Sequence, residues 1–451
     1  MKKPNIVVFF SDQQRADTMG CYGQPLAITP HADALAAEGV VFENAFSPQP
    51  VCGPCRAIFQ SGRYATDTGC FRNGLALPPQ TKTIAHYLSE VGYEKAYVGK
   101  WHLASDGDFE TTPRLDFQTT AIPMEYRGGY DGYWRTSDLL EFTSDGYGGY
   151  VFDENNNKCE FKGYRCDCIT DYALDYIKDY NKDKPFLLFL SHIEPHHQNS
   201  VHHYQGPRGS EEKYKNFILP KDLEVLGGNA REEYPQYLGQ CNSLDYNLGR
   251  VVDELKEKGL YDNTIIIYIS DHGSHFQTRN KDQHLCGFDD YKRTCHDSAL
   301  KVPLIFGGGA LKNTKKRISH LVSTESLAKT ILAIAGIDIG NQMIGENLLD
   351  KIEGKENNTP NEVYAQISES RLGRCIRTDK FLYSVYAPHI KGYDKASSMT
   401  YSDDYLYDME QDPFQLTNVV SKKAYDGVKE ELRKKLISWI QESEHLNVTI
   451  Q

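Results

Sequence analysis

The stretch of the chain best equipped for chemistry is Pro50-Val51-Cys52-Gly53-Pro54-Cys55-Arg56-Ala57-Ile58-Phe59-Gln60-Ser61-Gly62-Arg63. Two chemistries fit it. Cys52-Gly53-Pro54-Cys55 has the spacing of a thiol–disulfide redox pair, whose first thiol sits at a helix N-terminus and loses its proton readily. The longer pattern is Cys-x-Pro-x-Arg followed, after four residues, by Ser-Gly. It fixes more positions than Cys-x-x-Cys and is the more specific signal. A redox unit of this kind is a compact domain, whereas here the motif lies inside a chain of 451 residues.

Other reactive side chains follow short apolar runs. Asp12 and Gln13 come after NIVVFFS, and Lys100 and His102 come after KAYVG. His196 follows FLLFLS by way of Glu194-Pro195, and Asp271 and His272 follow TIIIYIS. If those runs are parallel strands, these residues gather in one crevice beyond the carboxyl ends of the sheet, where such folds bind ligands.

Taken in order, these segments resemble the type I, formylglycine-dependent sulfatases of the alkaline phosphatase superfamily. The resemblance rests on Cys52-x-Pro54-x-Arg56 with Ser61-Gly62, where the family prefers Thr at the Ser61 position. It rests also on Ser11-Asp12-Gln13, Gly99-Lys100-Trp101-His102, Pro195-His196, Asp271-His272-Gly273, Lys292 ahead of the Lys301-Val302-Pro303 strand, and Leu406-Tyr407-Asp408 with Asp412-Pro413. It runs from Asn5 to about Asn418. It implies that Cys52 is oxidised after synthesis to formylglycine by a maturase, which in an anaerobic cytoplasm would be a radical enzyme. It implies a divalent ion held by Asp12, Gln13, Asp271, His272 and residue 52. Oxygen ligands of this kind favour Ca²⁺ and admit Mg²⁺. Gln13 replaces the commoner second Asp and His272 the commoner Asn, which removes a negative charge and admits Mn²⁺. It further implies that Arg56, Lys100 and Lys292 hold the hydrated aldehyde and the sulfate oxygens. His196, helped by Lys292, would protonate the leaving alkoxide, and His102 would deprotonate the second hydroxyl of residue 52 so that sulfate is expelled.

The elements that must position these groups are legible as runs and periodicities. Strands are expected at Asn5–Phe10, Lys95–Gly99, Phe186–Ser191, Thr264–Ser270 and Pro303–Gly307, each rich in β-branched or aromatic residues. Helices are expected from Thr29-Pro30 to Gly39, over Thr81–Val91, Glu232–Lys258 and Thr324–Ala335, with Thr caps and Gly stops. The alternation predicts an α/β fold, a large mostly parallel sheet sandwiched by helices. After about residue 358 short strands predominate (Val363–Ile367, Cys375–Arg377, Phe381–Tyr386, Tyr405–Asp408), and an amphipathic helix over Lys422–Gln441 closes the chain. This predicts a catalytic domain over 1–357 and a C-terminal antiparallel sheet with a helix over 358–451, divided in the charged stretch Gly354–Pro360. The Tyr- and Gly-rich segment from Asp106 to Tyr164 reads as a long irregular insertion near the site.

Lys and Arg number 50 against 62 Asp and Glu, a net charge of −12, which disfavours general nucleic-acid binding. No apolar run is long enough to span a bilayer. Ile6–Phe10 is too short for a secretion-signal core, so a cytoplasmic protein is expected. The expected substrate is a small sulfate ester, a sulfated sugar by the aromatic insertion. The rival readings are a phosphonate or phosphate ester hydrolase of the same superfamily, a thiol–disulfide oxidoreductase using Cys52 and Cys55, and an inactive binding protein in which Cys52 is never converted. His197, His202 and His203 are candidate pocket-lining residues, as are Arg371 and Arg374. Cys166-Asp167-Cys168 lacks a matching second pair and is read as a chance spacing.

Overall fold

A computed structural model of the chain describes residues 2–106, 116–280, 291–355 and 359–451. Its centre is a 10-stranded sheet. In chain order the strands are β1 (Asn5–Ser11), β2 (Val40–Phe42), β3 (Glu94–Lys100), β4 (Trp134–Ser137), β5 (Tyr147–Asp153), β6 (Lys158–Tyr164), β7 (Phe186–Ser191), β8 (Thr264–Ser270), β9 (Leu304–Gly307) and β10 (Lys316–Ile318). Their spatial order is β10-β2-β9-β8-β1-β7-β3-β4-β5-β6. The five from β8 to β4 are mutually parallel, while β9 runs antiparallel to β8, and β5 and β6 form an antiparallel edge.

The pleat explains why the central strands are apolar throughout. Along β1, Ile6, Val8 and Phe10 enter the core on one face, and Val7 and Phe9 enter the core on the other. The helices that cover the sheet are α1 (Pro30–Glu38), α2 (Cys52–Ser61), α3 (Ile84–Glu90), α4 (Arg165–Asp179), α5 (Ala230–Glu257) and α6 (Ser326–Ile334). α2, α3 and α6 pack on the Ile6 side through Phe59, Leu88 and Leu327; α1, α4 and α5 pack on the Val7 side through Leu35, Ile177 and Leu248. Among the described residues no helix is long and apolar enough to cross a membrane.

The C-terminal sheet follows the expected strands: β11 (Glu362–Ile367), β12 (Gly373–Thr378), β13 (Phe381–Tyr386) and β14 (Thr400–Asp408), antiparallel in that order, with β15 (Thr449–Ile450) at the edge. One face packs on α7 (Asp426–Glu444) through Leu432, Leu436 and Ile440, spaced one turn apart. The other face, with Val363, Ala365 and Tyr405, packs on Phe46, Leu300 and Leu321 of the large unit. The proposed division at 357/358 lies outside the described residues.

The insertion differs from expectation. Its described part is not irregular: it supplies β4, β5 and β6, and so extends the main sheet by three strands. Trp134 and Tyr130 are core residues packed on Tyr97, which is where much of the aromatic content goes. Residues 107–115 lie outside the described part.

Candidate active site

Parallel strands end on the same edge of a sheet, and the reactive residues stand there. Asp12 follows β1, Lys100 ends β3, His196 follows β7, and Asp271 and His272 follow β8. The loops are tied edge to edge. The amide of Asp12 donates to the carbonyl of Glu194 (3.1 Å), and that of Asp271 to the carbonyl of Ser11 (3.2 Å). α2 begins at Cys52 and brings residue 52 and Arg56 over this edge from one face of the sheet.

Asp12 is the hub. Its Oδ2 accepts from Lys100 Nζ (2.7 Å) and Arg56 Nη2 (3.1 Å), while its Oδ1 lies 3.3 Å from Cys52 Sγ. Burial alone would raise the Asp12 carboxyl. The surrounding charges of Lys100, Arg56 and Lys292 outweigh it and hold the group well below the ordinary carboxylate range. Arg56 also donates through Nη1 to the Lys100 carbonyl (2.9 Å) and Ser191 Oγ (2.7 Å). Both its terminal nitrogens therefore serve to fix Asp12 and the end of β3, and only Nε, 3.7 Å from Asp271 Oδ2, remains uncommitted.

A cation fits among these residues. Ligand atoms of Asp12, Cys52, Asp271 and His272 all lie within 4.8 Å of one another, and all four residues are buried. His272 Nε2 is 3.3 Å from Cys52 Sγ, 3.7 Å from Asp12 Oδ1 and 3.6 Å from Asp271 Oδ1. Such edges are what ligands about 2.4 Å from a common centre would give. His272 Nδ1 bonds the Gly273 carbonyl (2.9 Å), so its Nε2 presents a lone pair to the cluster; burial and the Lys292 charge keep the ring neutral. Asp271 Oδ2 is buried without a hydrogen bond. Burial and the neighbouring Asp12 charge push the Asp271 carboxyl up, a strain that a divalent ion would relieve. Gln13, at φ 72°, turns its amide nitrogen to the Tyr204 hydroxyl (2.6 Å) and Ser274 (3.4 Å). The atom left over is the carbonyl oxygen, the end a hard cation takes.

Lys292 and His196 complete the other side. Lys292 Nζ is 2.9 Å from Cys52 Sγ and 3.0 Å from His196 Nε2. His196 Nδ1 donates to the His197 carbonyl, so Nε2 is the accepting nitrogen; burial, then the Lys292 charge, hold the ring neutral. His102 sits at φ 60° with Nδ1 buried and without a hydrogen bond, and is kept neutral by burial and by Lys100.

Several supporting residues carried no signal in the sequence. Asp138 accepts three backbone amides, from Leu103 (3.0 Å), Ala104 (3.1 Å) and Ser105 (2.9 Å), and so holds the loop that carries His102. Asn73 accepts from the amide of Gly53 (2.9 Å) and fixes the start of α2. Glu141, beside His196 Nδ1 at 3.8 Å, is held by Asn199. These are isolated polar residues in loops, and nothing in their spacing marks them.

Other candidates lie elsewhere. His197 is buried and stacked on Tyr291 (4.5 Å), while His202 and His203 are exposed and His203 pairs with Glu233 (2.7 Å). Arg374 is buried against Glu444 and Arg371 pairs with Asp404, so neither reaches the Asp12 cluster. Cys166 and Cys168 diverge: Cys166 approaches His192 (3.7 Å) and Cys168 approaches the Lys162 carbonyl (3.6 Å). The electrostatics of Cys52 and Cys55 run against the redox reading. Burial and the Asp12 charge push the Cys52 thiol up to about 11, and burial and Asp271 raise Cys55 as well. A redox pair needs the opposite shift.

The sequence profile described as Sulfatase matches residues 4–337, and that described as N-sulphoglucosamine sulphohydrolase, C-terminal, matches residues 286–442. An ulvan-active sulfatase of Formosa agariphila is 30% identical, covering 96% of this chain and 80% of its own. The N-acetylglucosamine-6-O-sulfatase of Bacteroides thetaiotaomicron is 23% identical, over 96% of this chain and 85% of its own. A Bacteroides fragilis structure assigned as the sulfatase yidJ superposes with a TM-score of 0.79 at 23% identity, over 98% of this chain and 96% of that one. A phosphonate monoester hydrolase from Silicibacter pomeroyi shares the fold more distantly, with a TM-score of 0.67 at 19% identity over 98% and 96% of the two chains. With the motifs in order, the reactive groups on one sheet edge and a matching profile over three-quarters of its length, the chain belongs to the type I sulfatases of the alkaline phosphatase superfamily and is a sulfuric ester hydrolase.

Proposed function

We propose that the protein hydrolyses the sulfate ester of a sulfated carbohydrate, with residue 52 in its formylglycine form as nucleophile and Ca²⁺ as the ion. The observation that carries this reading is the position of Cys52 Sγ, at once 3.3 Å from Asp12 Oδ1, 3.3 Å from His272 Nε2 and 2.9 Å from Lys292 Nζ. A side chain there touches both a cation cluster and a fixed ammonium, which is where a nucleophile facing a sulfate must stand. The carbohydrate assignment is supported by relatives named for ulvan and for N-acetylglucosamine 6-sulfate.

Asp12, Asp271, His272 and the Gln13 carbonyl would hold the ion, which supplies positive charge and acidifies the nucleophile. Lys100 and Lys292 neutralise oxyanion charge. Lys292 donates to the neutral His196, so Lys292 is the group that holds the proton nearest the leaving oxygen, and His196 orients it. This reverses the emphasis of the sequence reading, in which His196 was the acid. His102, neutral and with an uncommitted ring nitrogen, is the base that takes the second proton from residue 52. The Cys52 conversion requires a maturase.

The test is sulfate release from sulfated monosaccharides by protein whose residue 52 is shown to be converted, beside Cys52→Ala. Conversion lowers the peptide mass by about 18 Da, as a nucleophile-generating thiol-to-aldehyde change must. Converted protein that releases no sulfate from any sugar ester, yet cleaves a phosphonate monoester, would overturn the reading.

A further inference from the structure

A second cavity, of about 290 Å³, lies against the C-terminal sheet, between Thr278–Asn280, Arg293–His296 and the strands around Tyr405 and Tyr407. Its lining is tied to the reaction site through backbone hydrogen bonds. Asn280 bonds the carbonyl of Lys292 (3.2 Å), and the amide of Arg293 donates to the carbonyl of Pro50 (3.2 Å), two residues from Cys52. The guanidinium of Arg293 holds Glu369; Glu369 accepts the amide of Asn73 (2.7 Å), and Asn73 accepts that of Gly53.

Its charge is lopsided. Among the described residues, Arg279, Arg293 and Arg371 line it against one carboxylate, Asp404. Asp404 is committed to Arg371, and Glu369 to Arg293. The nearby Asp222 is committed to Arg15 at 3.0 Å. Arg279 has no carboxylate partner among the described residues. Its terminal nitrogens donate to the backbone carbonyls of Gln415 (2.6 Å) and Phe414 (2.8 Å), and its Nε is buried without a hydrogen bond. A largely buried guanidinium without a counter-charge is costly, and burial does hold Arg279 below the usual arginine range. His296, also in the lining and stacked on Tyr405 at 4.4 Å, is kept neutral by burial and by the charge of Arg279.

A guanidinium charge held by carbonyls, with no carboxylate partner among the described residues, favours a carboxylate or a sulfate in the cavity it lines. The volume is at the small end of ligand pockets, about 300–1,000 Å³, which suits one sugar ring and its substituent rather than a run of units. We propose that this cavity is a second oxyanion site, centred on Arg279, which binds the carboxylate or sulfate of a sugar unit adjoining the one whose ester is cleaved. The assignment rests on the saccharide reading above and adds that the preferred substrate is an acidic oligosaccharide, carrying at least one anion beyond the scissile sulfate.

The test uses 4-nitrophenyl sulfate turnover by the converted, metal-loaded enzyme as reporter. The competitors are N-acetylgalactosamine 6-sulfate, a disaccharide joining a hexuronate to that sugar, and inorganic sulfate. The disaccharide is expected to inhibit about tenfold or more tightly than the monosaccharide, the size of a charge-assisted contact. In Arg279→Gln the two should come within about twofold of each other, and Arg279→Lys, which keeps the charge, should restore part of the gap. A wild type that shows no gap, or an Arg279→Gln variant that keeps it, overturns the assignment. So does a variant that weakens inorganic sulfate as much as the disaccharide, since the site would then hold a free anion. If neither sugar competes, the saccharide reading falls, and this assignment falls with it.

Discussion

Lys292 Nζ stands between Cys52 Sγ and His196 Nε2, 2.9 Å from one and 3.0 Å from the other. One amine thus touches residue 52, the proposed nucleophile, and the imidazole expected at the leaving group. Because His196 Nδ1 donates to the His197 carbonyl, Nε2 can only accept from Lys292 in the neutral ring. The two side chains therefore form one hydrogen-bonded unit in which the lysine is the donor.

Lys292→Ala is therefore expected to lower kcat by about 10²–10⁴, the range for losing a general acid. The loss should be largest for sugar sulfates, whose alkoxide must be protonated, and smallest for 4-nitrophenyl sulfate, whose phenolate leaves unaided. His196→Ala should fall in the same direction by less, and the double variant should be far from additive. Rates measured across leaving groups check this. A uniform loss would mean that Lys292 acts only on the sulfate oxygens.

An ion held by the Asp12–Asp271 cluster, as proposed, should make stability depend on it. Asp12 and Asp271 are both fully buried, and the charge of one raises the carboxyl of the other. A chelator should lower Tm and abolish activity, and Ca²⁺ should restore both. At 100 times its Kd an ion contributes about 2.7 kcal/mol. Asp271→Asn should lose the calcium-dependent rise in Tm. His272→Asn should move the preference further towards Ca²⁺ and away from Mn²⁺, because a nitrogen ligand becomes an oxygen one. Thermal melts across a metal series decide it.

How much of this was legible in the sequence depended on whether a residue's neighbours were local. The strands carrying Asp12, Lys100, His196 and Asp271 stand out because buried parallel strands are apolar on both faces, and the residues just past them inherit their position. Asp138 is different. Its three amide partners lie 33 to 35 positions away and the contact is made by a loop crossing from β4 to the end of β3, so no local pattern encodes it. The same holds for Glu141 and Asn73. The Asp106–Tyr164 segment differs from expectation for a related reason: β5 and β6 form an antiparallel ribbon at the sheet's edge, half exposed, and their glycines and tyrosines resemble loop composition.

The C-terminal helix is fastened by a buried ion pair. Arg374 and Glu444 are both almost fully buried with a contact of 2.5 Å, and Gln366 adds a bond to Glu444 (3.1 Å). Glu444→Gln should cost about 3–5 kcal/mol, because it leaves the Arg374 charge buried alone. Burial alone would raise the Glu444 carboxyl, but Arg374 outweighs it and holds the group below its ordinary 4.5. A depressed folded pKa stabilises at pH above the unfolded value and loses that contribution as pH falls through the folded one. The difference between wild type and variant should be full above about pH 5 and shrink below it. Denaturant midpoints measured from pH 7 downwards would show it, and a gap constant with pH would mean the pair is not charged.

Gly99 sets the position of the catalytic edge through backbone alone. It has φ +102° and pairs with Ser191, and a Cβ there would meet the Ser191 carbonyl oxygen at 1.9 Å. That oxygen belongs to the strand end whose side chain also bonds the Lys100 carbonyl (2.8 Å) and Arg56 (2.7 Å). Gly99→Ala must therefore part β3 from β7 just where Lys100 and Arg56 are registered. A destabilisation of about 3 kcal/mol or more is expected, from backbone displacement added to left-handed strain. Activity should fall beyond what the lost folded fraction explains, because Lys100 moves relative to Asp12. Gly259 separates the two costs. It also has positive φ, +67°, but nothing lies within 4 Å of its Cβ position, so Gly259→Ala bears the strain without the collision. It should cost about 1 kcal/mol and leave kcat as in the wild type. If the two variants lose stability equally and both keep kcat, the Gly99–Ser191 approach does not hold the site.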